Sequence, residues 1–248
     1  MLSKSDSKFI KSLQLKKFRK AHNLFVTEGE KNLRELLKSD YQIDRLLLTE
    51  DFYNKERTNL ASWFKKIEIV KEKDLISCGT FQSNTAGLAV VEMRQQIEDS
   101  TPEPLTLALE NIRDPGNLGT IIRIADWYGL TRLICSPTCT DCFNSKVINS
   151  SMGSFFRVGC HYLDLHTFVS NSDIPIYGAS LGGQDLHQFK FKRPGIIVIG
   201  NESSGLSNEI KPLITTSLEI PRYGQAESLN AAMATAIFCD NYFRQIPK

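Results

Sequence analysis

Most of the features that would assign this chain quickly are missing from it. Its 248 residues contain no apolar run near the roughly 18 residues of a membrane span. The opening MLSKSDSKFIKSLQLKKFRK has no apolar signal-peptide core, so export is not expected and the protein reads as cytoplasmic. That stretch is basic and contains serine, as a mitochondrial presequence does, but its pattern runs straight into the helix of a folded domain. Six cysteines at irregular spacing make no disulfide framework. Cys135, Cys139 and Cys142 in CSPTCTDC resemble half a zinc site, yet no second Cys/His pair follows at a usual spacing, and no metal is expected. Neither sign of charge dominates: the net charge of +2 identifies no partner by itself. There are no internal repeats and no low-complexity tract. What remains, 41% apolar and 23% charged residues, is ordinary globular composition, long enough for one large α/β domain or two smaller ones.

The distribution of charge says more than its sum. Residues 1–24 hold Lys4, Lys8, Lys11, Lys16, Lys17, Arg19 and Lys20 against Asp6 alone. Such a cluster either seats on phosphates or is a solvated helix face. Up to residue 93 the chain alternates helices and strands. TEGEKNLRELLKS places Thr27 and Glu30 in capping-box spacing ahead of Leu33, Leu36 and Leu37 on one helical face. IDRLLLT (43–49), IEIV (67–70) and GLAVVEM (87–93) read as strands, with a helix between the first two. RQQIEDSTPEP (94–104) is polar, carries two prolines and has no apolar period, which marks a linker.

A second domain is expected over 105–248. LTLALE (105–110) suits a strand buried on both faces. A helix over 118–128, a strand over 132–136, a helix near 146–151 and strands over 174–180, 195–201 and 217–221 follow. The chain closes with a helix over 229–244 whose Leu229, Met233, Ala236 and Ile237 share a face. This is an α/β pattern, with a parallel sheet covered by helices on both sides.

Three stretches of this half end a buried-type strand in a small or polar loop: LENIRDPGNLGTIIR, IVIGNESSGLS and EIPRYGQAESLN. Open parallel sheets bind ligands outside the carboxyl ends of their strands, so these loops can converge on one site. Neither the dinucleotide fingerprint nor the P-loop is present. Taken singly, each polar residue has a structural explanation. Asn117 could cap a helix beginning at Leu118, Ser228 and Asn230 could be cap and first-turn residues, and Glu202 could answer a nearby cation. Arg123, flanked by Ile121, Ile122 and Ile124, either snorkels or is placed for a purpose.

As a set, the three stretches resemble the three motifs of the SpoU (TrmH-type) family of RNA ribose 2′-O-methyltransferases. NLGTIIRIAD supplies an Asn and an Arg six residues apart, IGNESSGLS a Gly-Asn-Glu and a later Gly, and IPRYGQAESLNAAMATAI an Ile-Pro and a Ser-Leu-Asn that opens a small-residue helix. DCFNSKVINSSMGSFFR resembles the family's segment between motifs, and KKFRKAHNLFVTEGEKNLRELL resembles the substrate-binding domain often fused ahead. The resemblance implies a trefoil-knotted, parallel-sheet methyltransferase domain preceded by a small α/β/α RNA-binding domain. It implies S-adenosyl-L-methionine as cofactor, held largely through the backbone of Gly200, Ile220 and Leu229.

It makes Arg123 the catalytic arginine. Asn117 and Glu202 would hold that arginine and the loops in register, and Ser228 and Asn230 would sit where cofactor meets ribose. A guanidinium with a pKa above about 12 stays protonated, so a phosphate grip that orients the 2′-hydroxyl is preferred over a general base, which remains open. The resemblance shifts the basic cluster, Lys16, Lys17, Arg19 and Lys20, towards RNA. It favours ribosomal RNA, with tRNA as the alternative, and implies a homodimer. A non-catalytic RNA-binding member of the fold and a base methyltransferase are the competing readings; the intact motif residues speak against the first and the Asn/Arg pair against the second.

Overall fold

The computed structural model describes residues 2–94 and 104–246. The centre of the expected linker, 95–103, lies outside the described residues. In chain order the elements are α1 (Lys4–Ser12), α2 (Lys16–His22), β1 (Leu24–Glu28), α3 (Glu30–Leu37), β2 (Ile43–Leu48), α4 (Glu50–Glu56), β3 (Ile67–Ile69), α5 (Glu72–Cys78) and β4 (Gly87–Glu92). They continue as β5 (Leu105–Leu109), α6 (Pro115–Trp127), β6 (Arg132–Cys135), α7 (Ser145–Ser151), β7 (Gly159–Tyr162), α8 (Leu165–Ser170), β8 (Ile176–Asp185), β9 (Gly195–Ile199), β10 (Thr216–Glu219) and α9 (Ala231–Phe243). Contacts divide the chain into two units, 1–95 with 141–157, and 96–140 with 158–248.

The first unit is built on a four-stranded sheet in the order β1-β4-β2-β3, in which β4 runs antiparallel to both neighbours and β2 and β3 are parallel. Val26, Leu47, Leu88 and Val90 of the strands meet Ile10 of α1, Leu13 after it and Leu75 of α5 in one apolar cluster. Thr27 does not cap α3. It lies buried in β1, paired with Ala89 of β4, and Gly29 takes the capping position without a side-chain bond. Strand pairing over Leu24–Glu28 outcompetes the local capping signal, because five paired residues outweigh one side-chain hydrogen bond.

The boundary expected between the domains is also corrected. Residues 141–157, expected in the second domain, pack with the first unit. Phe143 and Phe155 stack around Phe25, Phe156 meets the Tyr41 ring edge to face, and Arg157 pairs with Glu35. Three aromatic side chains in one short polar-flanked segment need a partner surface, and β1 with its neighbours supplies it.

Arg19 is a further correction. Unlike the exposed Lys16, Lys17 and Lys20, it is only 3% exposed, and its guanidinium donates to the Leu13 and Gln14 carbonyls and to Asp141 at 2.7 Å. It ties α2 to the 141–157 segment and is not available to RNA.

The second unit is a six-stranded sheet in the order β10-β8-β9-β5-β6-β7, parallel at every pairing. β5 and β9 are buried along their full length, as their unbroken apolar runs require at the centre of such a sheet. Ala108, Ile134, Ile196 and Val198 pack on Leu165 and Val169 of α8. Residues between them in sequence point to the opposite face, where α6 and α9 pack on each other and on the sheet. Chain order reverses at β5, whose neighbours are β6 on one side and β9 on the other, so a crevice opens beyond the ends of β5 and β9. Cys135 ends β6, while Cys139 accepts from Ile112 N and donates to Leu109 O, closing the loop after β5. Among the described residues no group of three His, Cys, Asp or Glu side chains is placed to hold a metal, and no helix is long and apolar enough to cross a membrane.

Removing one partner of a buried ion pair leaves the other uncompensated, at a cost of about 3–5 kcal/mol. Arg19→Met is therefore expected to lower the unfolding free energy by that order and the urea midpoint with it, read by circular dichroism. A solvent-facing Arg19 would leave the midpoint unchanged.

Candidate functional site

Asp114 caps α6, its carboxylate accepting from Asn117 N at 2.9 Å, and Pro115 occupies the first helical position, where its fixed φ is already helical. Pro115 and Gly116, residues with turn chemistry, thus form the first turn of the helix, which begins three residues before Leu118. The consequence for Asn117 is direct: relieved of capping, its side chain can reach across to other loops.

It makes two such bonds. Nδ2 donates to Glu202 Oε1 at 2.5 Å, and Oδ1 accepts from Asn230 Nδ2 at 2.8 Å. Asn230 is itself the N-cap of α9, its Oδ1 accepting from Ala232 N and Met233 N. The loops after β9 and β10 are therefore both tied to the first turn of α6 through one amide. Two residues not singled out from the sequence complete the network. Asn201 donates to Asn111 O at 3.0 Å and to the other Glu202 oxygen at 3.3 Å, and Glu110 accepts from Ser207 N at 2.9 Å. Asn201 lay inside the quoted Gly-Asn-Glu, which was the signal available for it.

The loop after β9 is tight for a steric reason. Asn201 and Gly205 pair as an isolated bridge, and Ser203 N and Ser204 N donate to Asn201 Oδ1. A Cβ on Gly200 would stand 2.4 Å from the Gly205 carbonyl carbon, so only glycine permits the turn. Behind this loop cluster, hydrogen bonding from Cys135 first, with Ser136 and the Ile112 amide adding to it, pulls the Cys139 thiol down to about 7 against the effect of its burial.

The loop of the third stretch is open by contrast. Residues 222–230 are all exposed, Ile220 is half-buried, and no main-chain N–H between Arg222 and Leu229 has an acceptor among the described residues. A run of unused amides flanked by apolar Ile220 and Leu229 suits a ligand gripped through the backbone. Ser228 lies exposed in that run.

Arg123 is not brought into the network. It is exposed on α6, six residues and about 9 Å of helix rise beyond Asn117, on the same open face as Thr120 and Trp127. Among the described residues it has no hydrogen bond or ion pair, and neither Asn117 nor Glu202 holds it, contrary to expectation. The apolar face expected on the last helix is partly open: Met233 is 58% exposed and Leu229 about half, while α9 buries Ala231, Ala232, Thr235, Phe238 and Tyr242. Trp127 stands 85% exposed.

The chain resembles known proteins in sequence and in fold. Residues 104–240 match the model of the SpoU rRNA Methylase family, and residues 5–88 match that of the MRM3-like substrate binding domain. The chain is 30% identical to the 23S rRNA guanosine 2′-O-methyltransferase RlmP of Bacillus subtilis, covering 92% of this chain and 91% of that one. An AdoMet-bound rRNA methyltransferase from Sinorhizobium meliloti superposes with a TM-score of 0.88 at 26% identity, over 100% of this chain and 98% of the other. The SpoU methyltransferase AviRb of Streptomyces viridochromogenes, in complex with AdoMet, gives 0.85 at 25% identity over 98% of each chain.

If Asn117 and Glu202 act as one unit, their effects on stability are not additive. A double-mutant cycle with Asn117→Ala and Glu202→Ala, read by urea unfolding, is expected to give a coupling of about 0.5–3 kcal/mol. Additive effects would show that the bond contributes nothing.

Proposed function

Because this chain belongs to the SpoU rRNA methylase family, we propose that it transfers the methyl group of S-adenosylmethionine to a ribose 2′-hydroxyl of ribosomal RNA. The observation that carries this reading is the convergence of the three motif loops on the Asn117 side chain. Support comes also from relatives that are named for rRNA 2′-O-methylation and from neighbours that bind AdoMet.

The cofactor, when bound, supplies an electrophilic methyl on a sulfonium. The unused amides between Arg222 and Leu229, with Gly200 and Ile220, would hold it. Asn117, Glu202 and Asn230 fix the loops that bear those amides, a scaffold role in which rigidity serves positioning. Arg123, permanently charged, grips the phosphate next to the target ribose and orients the hydroxyl towards the donor. The 2′-oxygen would take the methyl as the sulfur–methyl bond breaks to leave a neutral thioether, and its proton would pass to the neighbouring phosphate or to water. Ser228 stands in the open loop where ribose and cofactor meet. We read the run through the loops after β9 and β10 as the family's knotted connection, and the first unit, with exposed Lys16, Lys17 and Lys20, as the RNA-binding part.

A homodimer belongs to the same reading. Trp127 on α6, Met233 on α9 and Leu229 just before α9 leave apolar surface open, and a second copy covering it would bring its own groups towards the unpaired Arg123.

Arg123→Ala is expected to abolish methyl transfer while leaving cofactor affinity nearly unchanged. The measurement uses labelled S-adenosylmethionine and undermodified total RNA, separated into tRNA and the two ribosomal RNAs and then digested to nucleosides. Label in a 2′-O-methylnucleoside from one ribosomal RNA is the expected result. Label in tRNA would move the substrate class, and undiminished turnover by the variant would overturn the role of Arg123.

Light scattering at working concentration is expected to give twice the chain mass, and a monomer mass would refute the dimer.

A further inference from the structure

The first unit carries a concavity of about 480 Å³ lined by Thr80, Phe81, Ser145, Lys146, Asn149 and Ser150. Its size falls within the roughly 300–1,000 Å³ of small-ligand clefts. Two segments distant in sequence build it: the loop after α5, and α7 from the returning 141–157 stretch. Both walls are fixed from behind by buried polar groups.

Glu28, buried at the end of β1, accepts from Thr80 N at 2.8 Å and from the Thr80 hydroxyl, which sets the loop that carries Phe81. Gly29, with φ of 87°, brings the backbone against the Phe81 ring: a Cβ there would lie 2.8 Å from Phe81 Cε2. The ring is half-buried, with one edge against Gly29, and it lines the concavity.

On the opposite wall Asn32, 5% exposed, donates to the Glu28 carbonyl at 3.2 Å and to Asn149 Oδ1 at 3.1 Å. The Glu28 carbonyl can only accept, so Asn32 must turn its NH2 that way, and Asn149 must then offer its oxygen to Asn32. The Asn149 NH2 is left pointing away, with no acceptor among the described residues. One orientation of one amide is locked by a chain of two hydrogen bonds.

A partly open aromatic ring, an oriented amide donor, the exposed Lys146 and two serine hydroxyls form a set that matches one kind of ligand. We propose that this concavity is a nucleotide subsite that takes an unstacked base of single-stranded RNA. Phe81 stacks on the base, the Asn149 NH2 donates to an acceptor on the base edge, and Lys146 neutralises the adjoining phosphate. The assignment rests on the reading of RNA as the partner. It adds a contact point separate from the methyl-transfer loops and assigns substrate recognition to residues 80–81 and 145–150.

The test uses the full chain and a short, labelled, mixed-sequence single-stranded oligoribonucleotide, with binding read by fluorescence anisotropy and methyl transfer to ribosomal RNA assayed in parallel. Phe81→Ala is expected to weaken binding about 5- to 100-fold and Phe81→Trp to restore it. Asn149→Asp keeps the oxygen facing Asn32 but replaces the free donor with a charged acceptor, and is expected to weaken binding at least as much as Asn149→Ala. Lys146→Gln is expected to reduce the salt slope by about one. Lys146 is exposed and Asn149 half-buried, so the proposal stays testable if Phe81→Ala fails to fold.

Wild-type binding with all variants within twofold of it would overturn the subsite while leaving the methyltransferase reading intact. Weakening by Lys146→Gln alone would overturn it in favour of a general electrostatic surface. Weakened binding in the Phe81 and Asn149 variants, with no methyl transfer by the wild type, would uphold the subsite and overturn the reaction.

Discussion

The second unit depends on the two hydrogen bonds of the Asn117 side chain. A primary amide offers a donor and an acceptor on one rigid plane, so it can receive a carboxylate on one side and another amide on the other. Glu202 and Asn230 take those places, and each is the polar residue of a different loop. Neither a carboxylate nor a hydroxyl at this position would do the same: aspartate has no donor for Glu202, and serine lacks the reach for both. The glycine turn at 200–205 and the Asp114 cap exist, in physical terms, to deliver these three side chains to one point.

The network explains where reading residues one at a time succeeded and where it failed. Strands such as β5 and β9 were legible because buried parallel strands must be continuously apolar, and their limits were placed within two residues. The motif residues were legible as a set, and Asn117, Glu202 and Asn230 do converge. The same individual readings misplaced the cap of α6. Pro-Gly has turn chemistry in isolation, but with aspartate before it the proline is equally fitted to begin a helix, and only the tertiary demand on Asn117 decides between them.

The errors in the first unit have a common origin. Thr27 and Arg19 were assigned by local pattern, one as a cap and one as part of a basic face, and long-range contacts overrode both. The partner of Arg19 lies 122 residues away in sequence, in a segment that sequence continuity assigns to the other domain. No composition shift marks the return of 141–157, because its signal is three phenylalanines whose partners, Phe25 and Tyr41, come from the opposite end of the chain. A boundary drawn at the polar linker alone leaves 141–157 apart from the unit it packs with.

The way polar groups are used up separates scaffold from reactive surface. Asn117, Glu202, Asn230 and Asn201 are matched to one another, so they set shape and have little left to offer a substrate. Arg123, Ser228 and the amides of the 222–229 loop are the reverse: exposed, and without partners among the described residues. A guanidinium left so on a helix whose neighbours pack well is costly to order without an anion to hold. An exposed tryptophan one turn further along the same face shows that α6 is unfinished there as an apolar surface too. On the reading proposed above, cofactor, ribose-phosphate and a second chain are what these groups lack, and the folded chain supplies a rigid frame with its reactive side left open.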